Sequence, residues 1–420
     1  MERPLRFAMV TTFYPPYHFG GDASFVRSLC HGLAKRGHRV TVIHDRDAYH
    51  MVRGDAEPHP LREPPGVEVH GLRSRLGTLS CLATHQAGRP VVHGSRIAEI
   101  LDQDFDVIHY HNISLVGGPG VLTYGKALKI YTAHEHWLVC PTHILWKHNR
   151  QLCDTRECLK CSLSYRRPPQ PWRAGSYLDS CAAHVDAFTT LSESCAARHR
   201  EFGFSYPMQV IQPFLSAAAE DEGGGELPTP TKPYCLFVGR LEQTKGVQDV
   251  IPLFHDDSPA ELWIAGAGDY EPALRKLAEG RKTVRFLGYQ RFANLRRLYR
   301  GARVVVMPSL CYEVFPMVVL EAFREGVPVI ARSRGPFPEI LASSQGGLLF
   351  ESEQELRGAL DLALHDDAVR ERLSNNARNA FEQNWTEAAG LNRYFAFIEQ
   401  LAQQRGQHAL AGVAQEAVTA

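Results

Sequence analysis

Two cations lie close together in the second half of the sequence. Gly239-Arg240-Leu241 is followed after three residues by Lys245-Gly246. The apolar run Cys235–Val238 just before them predicts a strand, so we expect both cations in one loop at its carboxyl end. Fixed cations can stabilise a leaving group that gains negative charge, such as a nucleotide diphosphate. Two surface cations on a loop that buries little are the alternative.

Two glutamates, Glu313 and Glu321, follow a second apolar run, Val304–Met307. The pattern places Glu313 in the loop after this strand and Glu321 about two turns into a helix that starts near Met317. The first amides of such a helix, including those of Met317 and Val318, can hold phosphate. Carboxylates accept hydrogen bonds from sugar and ribose hydroxyls. A surface helix with ordinary charges remains the alternative for the pair.

Two glycine strings occur where a strand gives way to a helix. Gly266-Ala267-Gly268 ends one apolar run, and Gly20-Gly21 opens the first helix. Glycine lets the backbone approach a phosphate closely, but it also serves plain turns.

Histidines alternate at two strand ends, as His109-x-His111 and His134-x-His136. Alternate residues of a strand share a face, so these pairs could build a metal site or line a binding site as hydrogen-bonding residues.

Two Asp-x-Asp strings are present, Asp45-Arg-Asp47 and Asp104-Phe-Asp106. Such a string can bind a divalent metal together with a nucleotide. Because Asp45 follows a strand and Asp106 precedes one, helix capping and the start of a strand explain them better.

The segment Trp137–Arg173 is unusual, with seven Lys or Arg against two acidic residues and three of the five tryptophans. Its polar, proline-rich composition predicts that it does not form a helix or strand of the core. Its basic, tryptophan-rich surface suits a phosphorylated lipid or sugar acceptor, or a lid that binds a partner. It also holds a run of thiols that could close a tetrahedral zinc site, or be reduced cysteines or iron–sulfur ligands. These thiols are Cys140, Cys153, Cys158 and Cys161.

Short apolar runs alternate with amphipathic helical segments along both halves, which predicts parallel sheets with helices on both faces. We predict a domain over residues 1–215 with the insertion 137–173, a linker over 216–233, a second domain over 234–385 that carries the candidate diphosphate site, and a helical segment over 386–420. The last segment could pack back on the first domain, with its final small residues frayed. Asp22 is the predicted N-cap of the first helix.

Taken together, Gly239–Gly246 and Ser309–Pro328 resemble the family-4 retaining glycosyltransferases of the GT-B fold. The resemblance covers about residues 5–400. It implies an α/β protein with two doubly wound Rossmann-like domains and an interdomain cleft. It also implies that Arg240 and Lys245 contact the donor diphosphate.

The same resemblance implies that Glu313 contacts the donor sugar and Glu321 the ribose. In the first half it implies that His134 lies near the sugar, that Gly20-Gly21 approaches the phosphate, and that His111 belongs to the family's first His-x-His. Many members carry glycine where this chain has Pro316, so one possible phosphate-binding N–H is missing here.

The 420 residues have equal numbers of basic and acidic side chains, 46 each, which gives no general attraction to nucleic acid. No apolar run predicts a membrane span, so a cytoplasmic protein is expected, with peripheral membrane contact still open.

From these residues and the family resemblance we predict a retaining hexosyltransferase of glycan or glycoconjugate biosynthesis. It would use a nucleotide sugar, with UDP favoured, on a carbohydrate, lipid-linked or other small acceptor. It would need no catalytic metal and would carry a structural zinc. The alternatives are a nucleotide-sugar epimerase and a non-catalytic scaffold that binds a partner through the cysteine segment.

Overall fold

The computed structural model describes residues 3–216 and 225–419. It divides into two compact units, one formed by Met1–Ser216 with Glu387–Ala420 and one by Ala217–Thr386. Residues 217–224 of the predicted linker lie outside the described residues.

The first unit is built on a parallel sheet of seven strands in the order β3-β2-β1-β4-β5-β8-β9. A separate antiparallel pair, β6 and β7, lies in the cysteine segment. Continuous apolar sequence suits the central strands because helices cover both faces of a parallel sheet. The strands are β1 (Arg6–Val10), β2 (Arg39–Asp45), β3 (Val67–Leu72), β4 (Val107–Tyr110), β5 (Leu128–Ala133), β6 (Trp146–Lys147), β7 (Gln151–Leu152), β8 (Ala187–Thr190) and β9 (Met208–Val210).

Seven α-helices connect these strands in the described part of this unit. They are α1 (Gly21–Lys35), α2 (Arg46–Arg53), α3 (Thr78–Ala87), α4 (Gly94–Leu101), α5 (Cys158–Ser164), α6 (Tyr177–Ala182) and α7 (Glu193–Glu201). The predicted cap of α1 was wrong: Gly20 is the N-cap and Asp22 lies in the first helical turn. Glycine fits the cap because its φ is +122°, where side chains are strained.

The second unit is a parallel sheet of six strands in the order β12-β11-β10-β13-β14-β15. The strands are β10 (Tyr234–Val238), β11 (Glu261–Ala265), β12 (Val284–Gly288), β13 (Val304–Met307), β14 (Val329–Arg332) and β15 (Gly347–Phe350). The helices are α8 (Glu271–Leu277), α9 (Phe292–Gly301), α10 (Met317–Arg324), α11 (Phe337–Ser344), α12 (Glu353–His365) and α13 (Asp367–Asn384).

The chain ends on two helices of the first unit, α14 (Glu387–Gln404) and α15 (His408–Thr419). Fraying was predicted for the last residues and is wrong, since α15 buries Leu410, Val413 and Ala414 in the core of that unit. The small residues of α15 allow it to pack closely on α14. A run of small residues does not by itself indicate such packing in the sequence.

The cysteine segment also contributes to the core, contrary to the expectation that it was too polar to do so. Trp137 is fully buried and Leu138 is 2% exposed, and both join the cluster beneath β4 and β5. Trp172 packs against Trp137, and the guanidinium of Arg173 stacks on both rings. The expected tryptophan-rich surface is therefore largely an interior.

Candidate functional site

The centre of the second unit's candidate site is an ion pair between Lys245 and Glu313. Lys245 Nζ lies 2.6 Å from Glu313 Oε1, and their side chains are 18% and 15% exposed. The hydroxyl of Ser309 donates to the same carboxylate oxygen at 2.8 Å. The expectation that Lys245 buries little was therefore wrong, because the loop folds its side chain inward onto Glu313.

The pair keeps both groups charged. Burial favours the neutral form of Lys245, but the nearby Glu313 carboxylate outweighs it and raises the pKa of the ammonium. Burial likewise opposes ionisation of Glu313, yet Lys245 and the hydrogen bond from Ser309 lower the pKa of its carboxyl. A fixed ammonium is thus present across the neutral pH range.

Glycines bring the loops at this edge of the sheet together. A Cβ on Gly246, whose φ is +75°, would lie 2.0 Å from the carbonyl oxygen of Pro308. A Cβ on Gly266 would lie 1.8 Å from the carbonyl oxygen of Gly239. Gly266 thus allows the close contact between two loops. This agrees with a role of Gly266-Ala267-Gly268 in a turn. Gly246 fixes the lysine loop beside the segment that carries Glu313.

Arg240 differs from Lys245 in its surroundings. Its side chain is 60% exposed and its Nη1 lies 2.7 Å from Glu242 Oε1. It is still close enough to add to the charge felt by Lys245 and Glu313. A long exposed side chain next to a fixed ammonium can turn toward an arriving anion.

Helix α10 places the second glutamate. The helix begins at Met317 with Pro316 as its N-cap, so the amides of Met317 and Val318 lie in the first turn, where no intrahelical acceptor exists. Glu321 lies about one turn from the start, not the predicted two.

Tyr299 on α9 was not foreseen from the sequence. Its hydroxyl donates to Glu321 Oε2 at 2.6 Å. Burial raises the pKa of Glu321, although the bond from Tyr299 and the charge of Arg324 oppose the rise. A tyrosine in an amphipathic helix carries no sequence signal for such a contact.

In the first unit, His111 and His134 meet at the ends of β4 and β5. His111 Nδ1 lies 2.9 Å from His134 Nε2. Burial lowers the pKa of His134 to about 4 and lowers that of His111 well below its usual value, so both rings are neutral. His111 Nε2 is buried without a hydrogen-bond partner among the residues that the structure describes. This nitrogen is available to a ligand that can reach it.

The other two histidines of the predicted pairs have further partners. His109 bonds Tyr394 Oη at 2.9 Å and Thr132 Oγ1 at 2.7 Å. His136 contacts Cys195 and His199 instead. The rings of His109 and His111 are 4.0 Å apart and those of His111 and His134 are 5.1 Å apart, so three of the four histidines pack together. Their hydrogen bonds agree with the hydrogen-bonding interpretation.

Gly20 and Gly21 lie at the start of α1. One turn further on, the ring of Phe25 packs 5.9 Å from that of His134. The first turns of α1, which the glycine pair begins, therefore reach His134.

The Asp-x-Asp strings have structural partners. Asp45 is the N-cap of α2 and accepts from the amide of Ala48. Asp47 accepts from Ser74 and lies 3.2 Å from His93 Nε2. The ligand atoms of Asp45, Asp47 and His93 lie within 4.8 Å of one another, but these hydrogen bonds account for them.

Asp106 accepts from the amide of Arg6 and from the guanidinium of Arg3. It fixes the start of the sheet, as predicted for a residue that precedes a strand.

The predicted cysteine cluster surrounds one cavity. Its wall includes Cys140, Cys153, Cys158 and Cys161. Burial is the main cause that raises the pKa of Cys153 to about 11, and the thiols of the other three cysteines add to it. All ten cysteines are free.

A second cluster, His136, Cys195 and His199, was missed. Its ligand atoms lie within 4.8 Å of one another and all three residues are buried. Among the described residues, the four thiols around the cavity do not all lie within 4.8 Å of one another. Cys195 and His199 show the helical i, i+4 spacing, but His136 joins them only through the fold.

The sequences of both halves of this chain match known protein families. Residues 19–218 match Glycosyltransferase Family 4, and residues 223–380 match Glycosyl transferases group 1. The glycogen synthase of Mycobacterium tuberculosis is 33% identical over 89% of each chain.

Two solved structures are similar over nearly the whole length. Sucrose-phosphate synthase from Thermosynechococcus elongatus is 19% identical with a TM-score of 0.67, covering 96% of this chain and 98% of its own. Anabaena HepE in complex with UDP-glucose is 16% identical with a TM-score of 0.61, covering 96% of this chain and 100% of its own.

In residues 3–216 and 225–419, every helix is too short or too polar to span a bilayer. Three findings indicate the same family: the two parallel α/β units, the family matches to both halves, and the relative that is similar over 89% of the chain. The chain belongs to glycosyltransferase family 4 and has the GT-B fold.

Proposed function

We propose that the protein transfers a hexose from a UDP-sugar to an acceptor with retention of configuration. The observation that carries the proposal is the 2.6 Å contact between Lys245 and Glu313, which holds a buried ammonium beside a carboxylate. The ammonium suits the departing diphosphate, and the carboxylate suits a sugar hydroxyl. Arg240 and the first amides of α10 would add donors to the phosphate oxygens.

The proposed route needs no divalent cation. As the bond from sugar to diphosphate breaks, the diphosphate gains negative charge, which Lys245 and Arg240 would stabilise. Attack on the same face lets the leaving phosphate oxygen take the proton of the acceptor hydroxyl. Glu321 would accept from the ribose hydroxyls, with Tyr299 fixing its orientation.

Support for UDP comes from the solved relative that binds UDP-glucose. Resemblance to the family supports retention, and it also supports a role for His134 and Gly20-Gly21 near the donor. The predicted role of His134 has its own test, because His134→Ala should weaken sugar transfer while leaving binding of UDP itself unchanged.

The acceptor is proposed to be an anionic lipid-linked molecule at a membrane surface. On α5, Leu159 and Leu163 are 62% and 59% exposed and lie four residues apart, so they share one helix face. Exposed Lys160, Arg166 and Arg167 flank them. Apolar side chains beside basic ones are the pattern expected where a protein rests on anionic headgroups.

A donor screen followed by product analysis tests the proposal. UDP-sugars should raise the melting temperature more than GDP- or ADP-sugars. Proton NMR of the product should show the anomeric configuration of the donor. An inverted product would contradict retention. A UDP-sugar whose sugar changes configuration without any acceptor would favour the epimerase instead.

A further inference from the structure

The thiol cavity has the size and the walls of a site for one ion. Its volume is about 20 Å³, and holding a single water takes roughly 10–15 Å³. Four sulfur-bearing residues from three parts of the segment reach it: Cys140 before the hairpin, Cys153 after β7, and Cys158 and Cys161 on α5. Leu145, Trp146 and Phe202 close the rest of the wall with apolar surface.

The charge around the cavity suits a negative centre. Four thiolates with one divalent ion carry two net negative charges. Lys147, whose side chain is only 7% exposed, and Arg156 both line the cavity. Glu157 lines it as well, and its carboxylate lies 2.7 Å from Lys147 Nζ. Arg173 is close enough to the thiols of Cys140 and Cys158 for their charge to act on it. A main-chain amide, that of His148, already donates to Cys161 Sγ at 3.3 Å.

The backbone of the same segment is held in conformations that need support. Six non-glycine residues of the described chain have positive φ, and five of them lie between residues 143 and 166. They are His143, Leu145, His148, Asn149 and Arg166. Residues held this way persist only when the surroundings fix them. A two-residue strand pair and a seven-residue helix supply few contacts for that purpose.

We propose that Cys140, Cys153, Cys158 and Cys161 bind one structural Zn²⁺. On binding, each thiol gives its proton to solvent and its sulfur moves from the cavity wall to about 2.3 Å from the ion. All four positions are filled by protein, so the ion has no place for water or substrate. Thiolate ligation favours zinc over magnesium, calcium or manganese. The site is separate from the donor chemistry proposed above.

The rival site is the cluster of His136, Cys195 and His199. It provides three ligands, and His199 Nδ1 already contacts the carbonyl oxygen of Cys195 at 2.9 Å. Both clusters lie in the first unit, so the test must separate them.

Metal content of the full chain, purified without a metal-binding tag, tests the proposal. Elemental analysis should give about one zinc per chain. Cys153→Ser should lower this at least fivefold, whereas Cys153→His, which restores a zinc ligand, should keep it. Cobalt substituted for zinc should show the strong visible absorption of a tetrahedral thiolate site. Cys153 is half-buried, so both variants are expected to fold, and circular dichroism checks this.

The controls are Cys181→Ser, which removes a buried thiol outside the cavity, and Cys195→Ser, which removes the rival's sulfur. Both should retain zinc. Zinc that disappears in Cys195→Ser but persists in Cys153→Ser would overturn the proposal in favour of the rival site. Iron in place of zinc, or a metal-free wild type with four readily titrated thiols, would also overturn it.

Discussion

Lys245 and Glu313 are 68 residues apart in sequence, yet Nζ and Oε1 are separated by 2.6 Å. The contact joins the loop after β10 to the loop after β13, and these two strands are neighbours in the sheet. Ser309 on the second loop completes the arrangement. The residue proposed to stabilise the leaving group therefore also neutralises a buried carboxylate.

Replacing Lys245 should impair both turnover and stability. Lys245→Ala is expected to lower kcat about a hundredfold or more, the scale for losing a preorganised charge-stabilising group. It should also lower the free energy of unfolding, by up to about 3–5 kcal/mol, because Glu313 is left without its partner. Steady-state kinetics and denaturant unfolding measure the two effects.

Lys276→Ala, which removes an exposed lysine of the same unit, is the matched control and should change neither quantity. In the double variant Lys245→Ala with Glu313→Gln, stability should recover while activity stays low. Wild-type turnover in Lys245→Ala would remove this residue from the mechanism.

Glu321 should make stability and nucleotide binding depend on pH in opposite directions. Its raised pKa means that the folded state holds the proton more tightly than the unfolded state. The free energy of unfolding of the wild type, relative to Glu321→Gln, should thus fall as pH rises from about 4.3 through the folded-state pKa. Binding of UDP should strengthen over the same range as the carboxylate forms. Unfolding curves and titration calorimetry at several pH values measure both.

Glu325 provides the contrast, because salt bridges from Arg296 and Arg300 lower the pKa of its carboxyl against the effect of burial. Relative to Glu325→Gln, the wild type should lose stability as pH falls. UDP affinity that is equally pH-dependent in wild type and Glu321→Gln would contradict the role given to Glu321.

Brief chelation should leave sugar transfer intact. The proposed leaving-group site uses Lys245 and Arg240, and the acidic strings of the first unit are engaged by Ala48, Ser74 and Arg3. Transfer in a short assay with a chelator should stay within about twofold of the untreated rate. Loss of activity that magnesium or manganese restores would show that a divalent ion takes part.

The exposed leucines of α5 should govern binding to anionic membranes. Leu159→Glu with Leu163→Glu should reduce co-sedimentation with vesicles containing phosphatidylglycerol about tenfold or more, because both apolar contact and charge attraction are lost. Leu362→Glu, at a leucine 44% exposed on the other unit, should have little effect. Equal binding of wild type and the double variant would contradict a membrane surface at α5.

Several features followed from the sequence because they depend on local pattern. The apolar run Val304–Met307 predicted β13 with the bounds observed, since a strand buried on both faces tends to be continuously apolar. The loop after β10 and the start of α10 were located for the same reason. Strands β6, β7, β9 and β15 were not predicted, because the first three have only two or three residues and β15 begins at a glycine.

The sequence alone determined which residue types follow the strands, namely a cation pair, two glutamates and alternating histidines. It also showed four cysteines in one segment. Only the tertiary structure decided which of them meet. It paired Lys245 with Glu313 and Glu321 with Tyr299. It also packed His109, His111 and His134 against one another, and placed His136 beside Cys195 and His199. Strand order and the packing of helices bring these side chains together across long stretches of chain. Burial then fixes their charges, and burial is a property of the surroundings that no local spacing records.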